Sequence, residues 1–93
     1  MESASKDAAR DVAMVEPDVV VYGCTSGSFF EGPEWNARIC EELTQITGAP
    51  TVTTAGAMVA GLQAGGHKKV DVVTPYVDLT NARLKEFLKL HGI

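Results

Sequence analysis

A short stretch of small and hydroxyl-bearing residues at positions 23–28, which we call the Cys24 loop, carries the first candidate chemistry. It holds one thiol, on Cys24, and three hydroxyls, on Thr25, Ser26 and Ser28. A thiol can serve as a general acid, a general base or a nucleophile. Neutral hydrogen-bond donors suit an anion such as a carboxylate or a phosphate. The same composition is common in plain turns, and a cysteine here can equally be a small buried apolar residue, so both interpretations stay open.

Tyr76 is the second candidate, because it follows a predicted strand at positions 70–74 directly after Pro75. In open parallel sheets, ligands bind beyond the carboxyl ends of the strands. The Cys24 loop also follows a predicted strand, so the phenol of Tyr76 can face the same crevice and donate a hydrogen bond there. A packed aromatic ring with no role in a site is the equal alternative.

Other chemistry-bearing residues are predicted to be structural. Thr53 and Thr54 are expected to cap a helix, with ligand contact as the alternative. Cys40 lies in the middle of a predicted helix beside its apolar stripe, and His67 and His91 lack partners at spacings that would build a catalytic or metal site.

Several common catalytic loops are absent from the sequence. A thiol phosphatase loop needs an arginine to grip the phosphate, and Phe30 stands at that position relative to Cys24. Neither the phosphate-binding loop of nucleotide hydrolases nor the glycine fingerprint of dinucleotide-binding folds occurs. These nucleotide-binding and phosphatase classes are therefore excluded, and we expect no metal site; the absence of a cofactor is implied only by the resemblance described below.

The elements that must position these residues alternate between helix and strand. The hydrophobic pattern predicts helices near 5–15, 33–47, 55–64 and 79–91 and strands at 18–22, 50–54 and 70–74. The order αβαβαβα gives an α/β fold with a small three-stranded parallel sheet and flanking helices. The β-branched run at 18–22 is typical of a strand covered on both faces. Because three strands are few for such a sheet, residues 1–93 are expected to form a single α/β unit that is an incomplete part of a larger protein.

Composition limits the partners of the chain. It has 93 residues and a net charge of −4, with its 8 basic residues scattered. Binding to nucleic acid or to an anionic membrane would need clustered positive charge. No apolar run approaches the ~20 residues that span a bilayer, and the N-terminus lacks the apolar core of a secretory signal. Two cysteines make no disulfide framework, which predicts a reducing, cytoplasmic setting.

A series of short motifs runs through the chain in a characteristic order. They are Tyr22-Gly-Cys-Thr-Ser-Gly-Ser-Phe29, Asn36, Thr53-Thr54, Thr74-Pro-Tyr-Val-Asp-Leu-Thr-Asn81 and Phe87-Leu88. The set resembles the aspartate/glutamate racemase superfamily, in particular its maleate cis-trans isomerase and arylmalonate decarboxylase branch. The resemblance covers residues 17–93, and it is specific because the two longer motifs occur together. It implies part of one flavodoxin-like lobe of a two-lobed fold, with the active site between the lobes.

The resemblance assigns roles to four residues of this sequence. Cys24 matches the family's first-lobe catalytic cysteine. Thr25 and Ser26 match residues that bind a substrate carboxylate, and Tyr76 matches a tyrosine that donates to the same group. These matches imply a cofactor-independent isomerase or racemase for a small carboxylic acid, such as a maleate-type dicarboxylate or an amino acid. Decarboxylases of the branch have glycine in place of the cysteine, so the presence of Cys24 favours an isomerase or racemase. An arylmalonate-type decarboxylase is the alternative.

The sequence also departs from the family pattern. The family's second catalytic cysteine lies in a second lobe, and Cys40 does not match it. We therefore expect the 93 residues alone to be inactive, and we expect the missing lobe or self-association to cover the sheet edges. Two other classes stay open: a cysteine phosphocarrier or anion-binding module that uses Cys24, and a non-catalytic remnant that dimerises.

Overall fold

The computed structural model describes residues 2–93, so Met1, which is part of the predicted single unit, lies outside the described residues. The elements in chain order are α1 (Glu2–Ala13), β1 (Val20–Tyr22), α2 (Thr25–Phe29), α3 (Pro33–Thr47), β2 (Thr51–Thr53), α4 (Thr54–Ala64) and α5 (Asp78–Leu90). Among the helices of this part of the chain, none has the length and apolar character needed to cross a membrane.

The two strands pair in parallel, with Val21 opposite Val52 and Tyr22 opposite Thr53. Parallel neighbours need a crossover connection, which α2 and α3 supply here. Helix α3 contacts both strands and α1. The predicted fold class, an α/β unit with a parallel sheet and flanking helices, is confirmed.

The predicted third strand at 70–74 is wrong within the described residues, where the sheet has two strands. The segment has no regular secondary structure, and Val73 is 99% exposed. A β-branched run favours extended backbone, yet a strand forms only where a partner edge accepts its hydrogen bonds. Here the segment lies beside α5 instead, and it forms a groove of about 740 Å³ with Leu84 and Leu88.

The predicted element order needs a second correction, in the Cys24 loop. Residues Thr25–Phe29 form the short helix α2 instead of continuous loop. Glycine and hydroxyl residues favour turns, so their composition hides a single helical turn that is fixed by contacts elsewhere in the fold. The observed order is therefore αβααβαα.

Helix α3 illustrates how local signals fix an element. Pro33 stands in its first turn, where its missing N–H costs nothing. Gly48 ends the helix with a φ of 74°, a left-handed conformation that suits glycine. Between these ends, Ile39 and Leu43 bury one face. The predicted bounds of this helix are confirmed.

Helix α1 begins and ends earlier than predicted. The sequence predicts 5–15, whereas the helix spans Glu2–Ala13 and a turn follows before Pro17. Its buried residue Ala9 packs on the sheet side, and Lys6 makes an ion pair of 3.4 Å with Glu42 of α3. Small side chains at this contact let α1 lie close to α3.

Two separate apolar cores result from this arrangement. The α1–α3 core consists of Ala9, Tyr22, Ile39 and Leu43, with Cys24, Trp35 and Ile46 packed at its edge. The α4–α5 core consists of Phe29, Ala55, Val59, Leu84, Phe87 and Leu88, with Met58, Leu62, Tyr76 and Ile93 at its edge. Cys24 and Tyr76 thus border different cores.

One face of the two-stranded sheet is bare in the described residues. Val19, Val21 and Val52 are exposed, while the alternate residues Tyr22 and Thr53 are buried. The prediction that the strand at 18–22, observed as β1, is covered on both faces is therefore wrong for residues 2–93. Period-2 burial of this kind is the pattern of a sheet with a single covered face.

Candidate functional site

The Cys24 loop leaves the sheet at the carboxyl end of β1. Cys24 occupies the N-cap position of α2 in extended conformation, with φ −128° and ψ 102°. Its Sγ lies 4.0 Å from the Oγ of Ser26, and the side chain is half-buried. Within the described residues, the N–H groups of Ser26 and Gly27 make no hydrogen bond, as expected for the first turn of a helix.

Ser28 ties this loop to the neighbouring helix. Its side chain is fully buried; the hydroxyl donates to the carbonyl oxygen of Thr25 at 2.9 Å and accepts from the N–H of Ala55 at 3.1 Å. The N–H of Ser28 donates to the carbonyl oxygen of Cys24 at 3.0 Å. Ser28 is thus part of the framework beneath the loop.

Asn36 connects the same loop to the carboxyl end of β2. Its Nδ2 donates to the carbonyl oxygen of Ser28 at 2.8 Å and to the Oγ1 of Thr53 at 2.7 Å. Thr53 caps α4, as predicted, by accepting from the N–H of Gly56 at 2.9 Å. One amide therefore joins α2 to the carboxyl end of β2.

Tyr76 is held by a different set of contacts. Its N–H donates to the Oγ1 of Thr74 at 3.3 Å, and its carbonyl oxygen accepts from the Nδ2 of Asn81 at 3.2 Å. Thr74 Oγ1 donates to Asn81 Oδ1 at 2.5 Å, which closes a clasp around the turn. The Tyr76 ring packs on Phe29, with 5.8 Å between the ring centroids. This pattern gives a physical reason for the spacing of the Thr74–Asn81 motif.

A cavity of about 450 Å³ lies between α2 and the start of α5. Its lining residues are Ser26, Gly27, Phe30, Glu31, Trp35, Tyr76, Val77 and Thr80. The structure thus brings Ser26 and Tyr76 to one cavity. Cys24 and Thr25 do not line it; Cys24 stands behind Ser26, and the carbonyl oxygen of Thr25 is taken by Ser28. The larger groove beside α5 contains none of the four predicted site residues.

The polar character of this cavity is mostly neutral. Ser26, Tyr76 and Thr80 provide hydroxyls, and Glu31 provides the one carboxylate of the lining. Sequence reasoning missed both Thr80 and Glu31, because only the fold brings them next to Tyr76. Within residues 2–93, no group of three metal-ligand side chains is placed to hold an ion.

Cys40 lies on α3, away from this cavity. Burial raises the pKa of its thiol above the ordinary value. A raised pKa keeps the thiol protonated near neutral pH, and the thiolate is the reactive form of cysteine. Both the position and the protonation state therefore argue against a reactive role for Cys40.

A model of the arylmalonate decarboxylase family matches residues 2–93 of the chain. The chain belongs to this family. Arylmalonate decarboxylase from Bordetella bronchiseptica is 37% identical over 82 residues, which cover 88% of this chain and 34% of that protein. Maleate isomerase from Geobacillus stearothermophilus is 26% identical over 98 residues, which cover 100% of this chain and 39% of that protein. The predicted membership of the maleate isomerase and arylmalonate decarboxylase branch is confirmed.

Solved structures of arylmalonate decarboxylase superpose closely on the chain. One crystal structure has a TM-score of 0.93 at 33% identity and covers 99% of this chain and 40% of its own. A glycine-to-cysteine variant of arylmalonate decarboxylase in a sulfate-associated form gives 0.94 at 34% identity. The chain thus spans about two-fifths of the length of these family members, which is consistent with one lobe.

Proposed function

We propose that this chain supplies one wall of the active site of a cofactor-independent isomerase or racemase that acts on a small carboxylic acid. The observation that carries the proposal is the cavity shared by Ser26 and Tyr76, with the Cys24 thiol 4.0 Å from the Ser26 hydroxyl. Membership of a family that contains maleate isomerases and arylmalonate decarboxylase adds independent support.

The neutral donors of the cavity suit the charge that such a reaction develops. Removing a proton from the carbon beside a carboxylate, or adding a thiolate to an enoate, places negative charge on the carboxylate oxygens. Fixed donors at those oxygens stabilise the transition state more than the ground state. We assign the hydroxyls of Ser26 and Tyr76 to this binding role, together with that of Thr25, which lies outside the cavity lining and is assigned from the family resemblance.

Cys24 is the proposed acid, base or nucleophile. As a base, its thiolate takes the α-proton: the C–H bond breaks, an S–H bond forms, and the electron pair moves into the carboxylate. As a nucleophile toward a maleate-type substrate, the sulfur bonds to one alkene carbon and the π pair moves toward the carboxylate. The carbon–carbon bond that was double is now single, so the adduct can rotate about it. Return of the electron pair then expels the thiolate and gives the trans alkene.

An arylmalonate-type decarboxylase is the second candidate. The specific observation in its favour is the aromatic part of the cavity lining, where Phe30 and Trp35 offer an apolar surface for an aryl group. In this reaction the bond to one carboxyl group breaks, CO2 leaves, and the remaining carbanion takes a proton. The same neutral donors would hold the carboxylate that stays.

The whole activity is proposed to require more protein than these residues. The chain spans 34% of the Bordetella arylmalonate decarboxylase and 39% of the Geobacillus maleate isomerase, and one face of its sheet is bare in the described residues. We infer that residues 1–93 are one α/β unit of a two-lobed enzyme and that a second lobe, or a second copy, completes the cleft. We also place the protein in the cytoplasm, which is in keeping with its two free cysteines.

The proposal is tested on the complete protein that contains these residues and on the 93-residue chain alone. Maleate, an acidic amino acid and an arylmalonate are supplied in deuterium oxide, and proton NMR follows alkene isomerisation, α-proton exchange and CO2 loss. Cys24→Ala is expected to lower isomerase or racemase turnover by about 1,000-fold or more, whereas the control Cys40→Ala changes it by less than about twofold. Unchanged turnover in Cys24→Ala would reject the thiol mechanism. Decarboxylation that survives this substitution would favour the second candidate.

A further inference from the structure

We propose that Asn36 is a positioning residue, which fixes the Cys24 loop by clamping it to the carboxyl end of β2. The proposal rests on the proposed function only in taking Cys24 as the reactive thiol. The clamp consists of Asn36, Ser28 and Thr53, and no family assignment is needed to see it.

The geometry of the clamp is that of one amide group serving two acceptors. Both protons of Asn36 Nδ2 are used, one on the carbonyl oxygen of Ser28 at 2.8 Å and one on the Oγ1 of Thr53 at 2.7 Å. These acceptors lie 8 and 17 residues from Asn36 in sequence, one in α2 and one at the carboxyl end of β2. Both acceptor residues are buried, with Ser28 0% and Thr53 1% exposed, so water has little access to the acceptor atoms.

The chemistry of the site singles out a side-chain amide. Aspartate has nearly the same shape, but its carboxylate oxygens would face the carbonyl oxygen of Ser28 and repel it. Leucine fills the space and supplies no donor. In either case the buried carbonyl of Ser28 loses its partner, and a buried polar group without a partner is strongly disfavoured. The loop must then shift to find another donor or water.

The effect of such a shift reaches Cys24 through short connections. Ser28 donates through its N–H to the carbonyl oxygen of Cys24 at 3.0 Å and through its hydroxyl to that of Thr25 at 2.9 Å. A shift of the Ser28 main chain therefore also displaces Cys24 and Thr25. Because Cys24 is half-buried at the edge of the α1–α3 core, loosening the loop exposes its sulfur.

The experiment measures alkylation of Cys24 by iodoacetamide under native conditions, relative to N-acetylcysteine in the same solution. Cys40 stands one helical turn from Asn36, so every protein compared carries Cys40→Ala. The variants are Asn36→Leu and Asn36→Asp, with Gln45→Leu on the exposed side of α3 as a matched amide-to-leucine control. Thr53→Val removes the second acceptor, whereas Thr53→Ser keeps it.

The clamp predicts that Asn36→Leu, Asn36→Asp and Thr53→Val speed Cys24 alkylation by roughly threefold or more at temperatures well below unfolding. Thr53→Ser and Gln45→Leu are expected to stay within about twofold of the parent. A folded Asn36→Leu protein with the parent rate would overturn the proposal, since a purely structural role lowers the unfolding midpoint without changing native reactivity. If Asn36→Leu does not fold, equal rates for Thr53→Val and Thr53→Ser would overturn it instead.

This result is separable from the test of the proposed function. A changed alkylation rate in the Asn36 variants shows the clamp whether or not the thiol is catalytic. In the complete enzyme, Asn36→Asp is further expected to lower kcat more than it raises KM, because a displaced thiol spoils the reacting geometry. An enzyme that tolerates Cys24→Ala but shows the alkylation effect would retain the clamp and lose the thiol mechanism.

Discussion

The two sides of the candidate cavity are held in contrasting ways. The Cys24 side is fixed by Ser28 and Thr53, which are buried and hydrogen-bonded to main chain and to Asn36. The Tyr76 side is fixed by Thr74 and Asn81, and the two hydrogen bonds that Asn81 makes there are exposed. Water competes more strongly with exposed hydrogen bonds than with enclosed ones, so the bonds on the Tyr76 side give less rigidity. One side is preorganised by its own fold, and the other depends on a packing contact.

That packing contact is Phe29. It is fully buried, belongs to the helix that starts the Cys24 side, and packs on both Tyr76 and Phe87. The ring centroids are 5.8 Å apart for Tyr76 and 6.3 Å apart for Phe87. Phe29 therefore joins the two sides of the cavity. Substituting it is the first test of the contrast between those sides.

Phe29→Ala is expected to have the largest effect on stability. Removing a fully buried phenylalanine typically costs about 3–5 kcal/mol, through lost burial and the cavity left behind. The neighbouring Phe30 is half-buried and lines the cavity wall, so Phe30→Ala is the control and should cost clearly less. Urea unfolding measures both. Equal losses for the two variants would show that Phe29 does not join the two sides.

Gly56→Ala tests the crowding on the Cys24 side. A Cβ at this position would lie 2.9 Å from the Oγ1 of Thr53 and 3.5 Å from the Oδ1 of Asn36. Alanine favours a helix over glycine by up to about 1 kcal/mol, but displacing the cap and the clamp costs about 1–3 kcal/mol, so we expect a net loss of stability.

Gly61 is the matched control for this substitution. It lies on the same helix, and a Cβ there would meet nothing within 4 Å. Gly61→Ala is therefore expected to stabilise the protein by about 0.5–1 kcal/mol. Thermal unfolding of the two alanine variants should move in opposite directions. A higher unfolding temperature in both variants would mean that Thr53 and Asn36 can move away from the added methyl group at little cost in stability.

Thr74→Val tests the exposed clasp on the Tyr76 side. It removes the acceptor of the Tyr76 N–H while keeping the shape of the side chain. Since the bond is long and only partly buried, we expect a stability change below about 1 kcal/mol together with roughly tenfold faster hydrogen exchange at the Tyr76 amide. Thr74→Ser retains the hydroxyl and serves as the control. Unchanged exchange in Thr74→Val would indicate that the Phe29 contact alone holds the turn.

The same contrast explains which features the sequence could predict. The bounds of α3 follow from Pro33 and Gly48, which act on their own neighbours. The family follows from motifs that keep their order and spacing. Asn36 bonds to Ser28, 8 positions away, and to Thr53, 17 positions away, and no local sequence pattern predicts such bonds. The segment at 70–74 has the residues of a strand, but pairing depends on an edge that local sequence does not describe.

Thiol ionisation at Cys40 provides the smallest predicted effect and sharpens the contrast between the two cysteines. Burial raises the pKa of the Cys40 thiol above its ordinary value of about 8.5. Between the unfolded and folded values, the unfolded chain has lost the proton and the folded chain has kept it. The stability from this group is therefore complete below the unfolded pKa and is lost as pH rises through the folded one.

Cys40→Ala removes this dependence and leaves Cys24 in place. The unfolding free energy of the parent should fall relative to that of Cys40→Ala as pH is raised from about 7 to about 10. Urea unfolding under reducing conditions measures both. If the parent shows no such loss relative to Cys40→Ala, the thiolate of Cys40 is at least as well stabilised in the folded chain as in the unfolded one. In that case the protonated state of Cys40 would no longer explain why Cys24 is the cysteine suited to chemistry, and position alone would have to distinguish them.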